Sequence, residues 1–373
     1  IMPHPNADRL FLGTVKGWQT VILKKEDGQP QFKEKDKVVF IPPNTVIPEK
    51  LADELNIKSY LNSRLNINNE KVLVVRSVKL RGEPSFGILL QPKDFNWELG
   101  KDVSEEYGLY KFEPPVKIHQ TLGKTGIDCA PEIMEFPRYS GPENFRDWKN
   151  IFESLVSTNQ LDIVVTEKIH GTNCGVGIVN GVLVARSNKH RRKNPTELTE
   201  EQLEKSVFKG KDNDFIYSHS LFWYPHSLPN VKNLLNDLSQ TYQSVVLYGE
   251  IFGSGIQKFQ YGRNGIDFRV FDIMINGKYL DFSEAIGLCV KYNIDYVPIL
   301  YMGKYDLDTI KRLTKGKTTL TEENNKNSNI REGVVIKFVK ELTNPKFGRC
   351  ILKYISDDYL TSDKIQNDDS TDE

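Results

Sequence analysis

Lys168 closes an apolar run, Val-Val-Thr-Glu-Lys-Ile-His-Gly-Thr-Asn at residues 164–173. A strand that delivers one primary amine into a turn presents a candidate nucleophile, and Gly171 lets the backbone come close to a bound phosphate. The chemistry suggested is covalent catalysis by an amine. A free lysine, with a pKa near ~10.4, is protonated at neutral pH, so a nucleophilic one needs neighbouring cations or a metal to favour its uncharged form. Taken alone, the residue reads as a solvated lysine at a strand end.

Five further segments change that reading. They are Val-Ala-Arg-Ser at 184–187, Val-Leu-Tyr-Gly-Glu-Ile-Phe-Gly at 246–253, Phe-Arg-Val-Phe-Asp-Ile at 268–273, Arg-Glu-Gly-Val-Val-Ile-Lys-Phe at 331–338 and Ile-Leu-Lys-Tyr-Ile-Ser at 351–356. Each is an apolar run that carries or ends on a charged residue. With the Lys168 segment they resemble, in order, the motif set of the covalent nucleotidyltransferases, which comprise DNA ligases, RNA ligases and mRNA capping enzymes. The nucleophile signature there is usually Lys-x-Asp-Gly. Here it is Lys168-Ile169-His170-Gly171-Thr172-Asn173, which looks like the ATP-dependent RNA ligases, especially the branch that includes the kinetoplastid editing ligases.

That resemblance implies a three-step reaction. Lys168 attacks the α-phosphorus of ATP, leaving AMP covalently bound as lysyl-AMP; AMP passes to an RNA 5′-phosphate; a 3′-hydroxyl then attacks and AMP departs. Negative charge moves between phosphate oxygens at each step, so cations and Mg²⁺ or Mn²⁺ must sit where it develops. Glu250 and Glu332 are the implied metal carboxylates, with Asp272 acting directly or through water, and Glu250 also lies beside the ribose. Phe271 would stack on adenine, with Val335 on the opposite face. Arg186 would bind either the 5′-phosphate or the AMP phosphate through its planar fork. Glu167, His170 and Asn173 join the nucleotide contacts, and Lys337 and Lys353 face the α-phosphate. Several relatives carry Lys-x-Lys in the last motif, whereas Lys353 stands between Ile351 and Ile355; one lysine suffices, or Lys337, Lys346 or Arg349 replaces the second.

The elements that must position these residues suggest an α+β chain of two domains. At 373 residues the length suits two cores. Residues 1–95 read as short strands at Arg9 to Val15, Trp18 to Lys24, Lys37 to Ile41, Lys71 to Leu80 and Phe86 to Leu90, with a helix near Pro48 to Leu55. This pattern favours a small β-barrel. The segment His4-Pro5-Asn6-Ala7-Asp8-Arg9-Leu10 resembles the oligonucleotide-binding (OB) domain ahead of some RNA ligases, which implies an N-terminal RNA-binding barrel whose first strand is trimmed. Residues 96–155 form a linker and a connecting helix over Glu143 to Leu155. Residues 156–356 alternate strands with helices near 198–208, 231–242, 283–292 and 307–313, giving a catalytic domain of antiparallel sheets. Residues 357–373 make an acidic, disordered tail.

Fifty basic residues balance fifty acidic ones, so RNA contact must come from local patches. Lys71, Arg76, Lys79 and Arg81 form one; the run Lys189 to Lys193, with Arg191 and Arg192, forms another. The four cysteines have no paired spacing, which indicates neither a zinc site nor a disulfide framework and fits an intracellular, reducing compartment. No apolar run reaches the ~18 residues of a membrane span. The expected partner is RNA with 5′-phosphate and 3′-hydroxyl ends, met by a monomer. A DNA ligase or guanylyltransferase is the alternative enzyme, disfavoured by His170 and by the short stretch after Lys353. A catalytically inactive RNA-binding protein is the alternative from another class, weakened by the presence of Lys168, Glu250, Glu332 and Lys353.

Overall fold

The computed structural model describes residues 1–68, 70–113, 128–257, 261, 262, 264–321, 330–346 and 348–362. Residues 114–127 of the expected linker and 363–373 of the expected tail lie outside the described residues. The fold is mixed and sheet-rich, in two units: one drawn from residues 1–113 and 360–362, the other from residues 128–359.

The first unit is built from strands of two to six residues. Leu10–Val15 and Trp18–Leu23 pair antiparallel with Met2–Pro3 at one edge. Thr45–Ile47, Asn62–Leu65 and Lys71–Val74 build a four-stranded sheet with Tyr110–Lys111. The single strand expected over Lys71 to Leu80 is two, Lys71–Val74 and Val78–Leu80, because Val75 leaves the ladder to bond Thr45 and Asn44. The short strands at 45–47, 62–65 and 83–85 carry too few alternating residues to stand out in the sequence. Around Ile41, Ile47, Ala52 and Val75 lies this unit's core.

In the second unit two sheets carry the motif residues. The five-stranded sheet runs Glu143–Asn144, Ile351–Ile355, Gly333–Phe338, Ile163–Lys168, Ile299–Gly303. The seven-stranded sheet runs Cys129–Ala130, Arg191–Arg192, Val182–Ser187, Thr172–Val179, Ser244–Gly253, Ile266–Ile275, Lys278–Tyr279. Pairing is antiparallel throughout both sheets except between Glu143–Asn144 and Ile351–Ile355. β-branched residues dominate the central strands and suit a pleated surface buried on both faces.

Each sheet turns one face to helices. Phe145–Asn159 and Leu307–Thr314 cover the five-stranded sheet, where Phe152, Ile163, Val165, Val334, Ile336, Phe338 and Leu352 form one core. Asn144 caps the first of these helices by accepting from the Arg146 N–H, as an Asx N-cap does. Pro229–Ser239 and Phe282–Lys291 cover the seven-stranded sheet over Cys174, Val176, Val245, Leu247, Phe268 and Ile273. Strand alternation then puts Val335 and Lys337 on the face opposite Val334, Ile336 and Phe338. The expected tail differs over its first residues: Asp357–Leu360 is a helical turn, and Tyr359 is buried.

Phe152 is fully buried and stacks on Phe338 with ring centroids 4.6 Å apart. Phe152→Ala removes a ring between helix and sheet and is expected to cost about 3–5 kcal/mol of unfolding free energy. Urea unfolding measures this; a loss below about 1 kcal/mol would show that the helix is not anchored here.

Candidate active site

The chain passes from one sheet to the other at Ile169–His170–Gly171, directly after Lys168 ends its strand. Lys168 pairs in register with Gly333, and its ammonium lies 2.8 Å from the Glu332 carboxylate. Both side chains are largely buried. The sequence gives Gly171 a role in phosphate approach; the structure shows a different constraint. A Cβ there would fall 2.3 Å from the Ile251 carbonyl oxygen and 2.9 Å from Glu250 Cγ. The crossing therefore presses on the Ser244–Gly253 strand, and a hydrogen atom is all that fits.

His170 is held from both ends. Its backbone N–H donates to the Tyr261 hydroxyl at 2.6 Å, and its Nδ1 shares a 2.8 Å hydrogen bond with the Tyr359 hydroxyl. Nδ1 also lies 3.7 Å from Glu332 Oε2. That carboxylate oxygen is buried with no hydrogen-bond donor among the described residues, an arrangement that costs free energy unless something positive binds it. Burial raises the Tyr261 hydroxyl far above the ordinary tyrosine range, its bond from His170 opposes this, and Glu332, Glu167 and Glu250 add to it. Glu250 and Glu332 thus converge on one region. Among the described residues no group of three His, Cys, Asp or Glu forms a cage for a metal ion. Two carboxylates with room for water and substrate phosphate is the donor set that Mg²⁺ prefers over an all-protein cage.

Register places the other motif residues. Asn173 is opposite Glu250, and Gly175 sits between Arg186 and Tyr248. Val335 lies between Thr166 and Lys353. Lys168, Val335, Lys337 and Lys353 consequently share one face of the five-stranded sheet. On the facing strand, the register slips between Tyr248 and Gly249, so Tyr248 opposes Asp272 while Gly249 opposes Val270. Phe271 is the extra residue of this bulge. In a regular strand Phe271 and Asp272 would point to opposite faces; the bulge brings both to Tyr139, which touches the Phe271 ring at 4.8 Å and donates to Asp272 at 2.6 Å.

Several expected contacts are occupied by protein. Glu167 accepts from Thr318, from the Thr319 backbone and hydroxyl, and lies 3.4 Å from Arg331. Lys337 donates to Asp272 at 2.7 Å and to the Phe271 carbonyl and Tyr296 hydroxyl at 3.0 Å each, which uses every ammonium proton. Asp272 accepts from Lys337, Arg349 and Tyr139 together, so its carboxylate is already saturated. Arg186 is buried, donates to the Phe136 carbonyl and lies 3.0 Å from Glu132; burial draws its pKa below the usual arginine value, and Glu132 opposes this.

The basic patches divide similarly. Arg192 turns inward to Asp128 and Ser187, and Arg191 donates to the Pro131 carbonyl. In the first unit Lys71, Lys79 and Arg81 are exposed, and Arg76 donates to the Tyr60 carbonyl. Lys346 is exposed on the hairpin before Arg349. Arg349, by contrast, bridges Asp272 and Glu341 over the Tyr279 ring. Sequence reasoning missed Tyr139, Tyr296, Glu341, Tyr261 and Tyr359 as parts of this region. None lies in a motif, and only their packing against motif residues reveals them.

A family model for RNA ligase matches residues 161–355. Comparison with curated protein sequences gives no match. Among solved structures the chain is similar to a mutant Naegleria gruberi RNA ligase with ATP and Mn, at 22% identity and a TM-score of 0.70, over 96% of this chain and 95% of that one. A second mutant of that protein with AMP and Mn gives the same values. The same ligase with PPi matches at 23% identity and a TM-score of 0.68, over 96% and 94%.

Burial alone would raise the Asp272 pKa, but Lys337 and Arg349 outweigh it and hold the carboxyl below its ordinary value. A depressed carboxylate stabilises the fold above the unfolded pKa of about 3.9, and that contribution disappears as pH falls and the group protonates. Asp272→Asn should therefore cost about 3–5 kcal/mol near neutrality, since it strips the counter-charge from two buried cations. Below about pH 3 the gap to wild type should narrow. Denaturant unfolding at both pH values tests this, and equal stability near neutrality would contradict it.

Proposed function

The chain belongs to the RNA ligase family, and on that premise we propose that it is an ATP-dependent ligase acting as a single chain in a reducing compartment, joining a 5′-phosphate to a 3′-hydroxyl through lysyl-AMP on Lys168. The observation that carries this reading is the Lys168–Glu332 pair at the paired ends of two strands. It is supported by the ATP, AMP and PPi named for the similar Naegleria structures.

Glu332 has two successive uses in this mechanism. Before nucleotide binds, its charge holds the Lys168 amine in place as an ammonium. Attack on the α-phosphorus needs the neutral amine, so the pair must loosen first. Glu332 and Glu250 would hold a divalent cation, Mg²⁺ or Mn²⁺, which would neutralise phosphate charge. Lys353, on the same face as Lys168, then supplies positive charge beside the phosphate and disfavours protonation of the nucleophile. His170 keeps its ring fixed through Tyr359 and its backbone through Tyr261, so it meets the nucleotide or the leaving pyrophosphate without a search over rotamers. Asp272 and Lys337 position these groups rather than touching nucleotide.

Phe271 would stack on adenine, with Val335 from the opposite sheet on its other face. The N-terminal unit, with short strands and exposed Lys71, Lys79 and Arg81, would serve as an OB-type barrel that tracks the RNA backbone. The editing-ligase-like branch is the closest fit to Lys168-Ile169-His170-Gly171-Thr172-Asn173.

Incubation with ATP or GTP labelled in the α-phosphate, followed by a denaturing gel, tests the reading. Wild type should take label from ATP, while Lys168→Ala and Lys168→Arg take none, because arginine keeps the charge but cannot shed its proton to attack. Label retained by either variant would rule out lysyl-AMP at this residue, and equal labelling by GTP would replace ligation with capping chemistry. Phe271→Ala should weaken ATP use by about 1–3 kcal/mol, the range for losing a stacking platform. An unchanged KM for ATP would place adenine elsewhere.

A further inference from the structure

We propose that the catalytic unit carries a second anion site, behind the Lys168 sheet, built to hold one phosphate group. A cavity of about 220 Å³ opens there, lined by Arg146, Lys311, Thr314, Lys315, Tyr354 and Asp357 among others. Tyr354 packs with Phe145 and Val334, so the cavity lies on the helix-covered face, opposite the one that Lys168, Val335 and Lys353 share.

Charge is the first argument. Three cations line the cavity against one carboxylate, and that carboxylate is already taken: Arg146 lies over the Tyr354 ring at 4.7 Å and donates to Asp357 and to the Ile355 carbonyl. Among the described residues neither Lys311 nor Lys315 has an acidic partner. The plain alternative is that both lysines complement the C-terminal carbonyls of the Leu307–Thr314 helix. Those carbonyls are served otherwise, because Arg331 donates to Leu313 at 2.5 Å and to Lys315 at 3.5 Å, and Thr314 bonds Ile310. Two lysines four residues apart on one wall repel each other, and a bound anion relieves that repulsion.

Size and chemistry narrow the occupant. The cavity is smaller than the roughly 300–1,000 Å³ of small-molecule pockets, so it admits a phosphate and the adjoining sugar atoms but not a stacked purine. A planar guanidinium fixed by an aromatic ring, with two flexible ammonium groups, suits phosphate oxygens. Arg331 links the cavity wall to the active site: it holds the Lys315 carbonyl, lies against Glu167, and precedes Glu332. A polynucleotide phosphate near the end being joined has the right chemistry, and so does free phosphate or pyrophosphate. The first source rests on the ligase reading, whereas the site itself does not.

The test uses the full chain and the double variant Lys311→Gln, Lys315→Gln, whose positions are exposed and outside the adenylylation machinery. Binding of nicked RNA duplex is measured across salt concentrations, and thermal unfolding is followed with and without inorganic phosphate or pyrophosphate. We expect the variant to take AMP label from ATP as wild type does, to bind RNA more weakly, and to show a salt slope shallower by about 0.7–0.9 for the lost contact. If only the stabilisation by phosphate or pyrophosphate disappears, the occupant is the free anion. The proposal is overturned if neither the RNA salt slope nor the anion-induced stabilisation differs between the two proteins. Wild type that takes no label would sink the ligase reading, and the phosphate arm would still decide the site.

Discussion

The buried pair of Lys337 and Asp272 joins the strand of Val335 to the strand of Phe271 and so ties the two sheets of the catalytic unit together. Removing either charge from water costs several kcal/mol, recovered only when the geometry is good and the remaining protons and lone pairs are used. Here they are used. Lys337 has three acceptors, and Asp272 receives Lys337, both terminal nitrogens of Arg349, and Tyr139. Glu341 balances Arg349, so two cations meet two carboxylates. Such a closed network adds little net stability over an apolar core, but it tolerates few alternative spacings. The bulge at Phe271 belongs to the same device, since Lys337 and Tyr296 both bind the Phe271 carbonyl.

Lys168 is held differently from Lys337. The Lys168 ammonium lies 2.8 Å from one oxygen of Glu332, and the other oxygen of that carboxylate has no hydrogen-bond donor among the described residues. Lys337 and Lys168 thus stand on one sheet face in different settings, the first with its three ammonium protons engaged by Asp272, Tyr296 and the Phe271 carbonyl, the second beside the Glu332 carboxylate.

The catalytic fold was largely legible because its central strands are β-branched runs that carry or end on a charge, as in Ile163–Lys168 and Gly333–Phe338. Helix positions followed from apolar spacing to within a few residues, as for Leu307–Thr314. Individual charged residues were harder to read. Sequence cannot say whether Lys337 faces a ligand or a carboxylate on another strand, since Asp272 lies 65 residues away. The same holds for Arg192 and Asp128, 64 residues apart. Tyr359 fell in a stretch whose acidic composition suggested a tail, and only its bond to His170 across 189 residues reveals that it is part of the core. Short strands such as Thr45–Ile47 were invisible because three residues carry no periodicity.

The order of strands in the five-stranded sheet has a temporal meaning. Lys168 sits on a strand flanked by residues 299–303 and 333–338, with 351–355 next in line. On a ribosome, where the chain emerges from its N-terminus, the lysine appears more than a hundred residues before either neighbour. Pairings this distant in sequence form late, because loop closure must come before the contacts that reward it. The nascent chain therefore carries Lys168 as an ordinary solvated lysine until those strands have been made. Glu332 and Tyr359 emerge later still, so the buried surroundings of Lys168 and His170 are assembled only once the whole unit has left the ribosome.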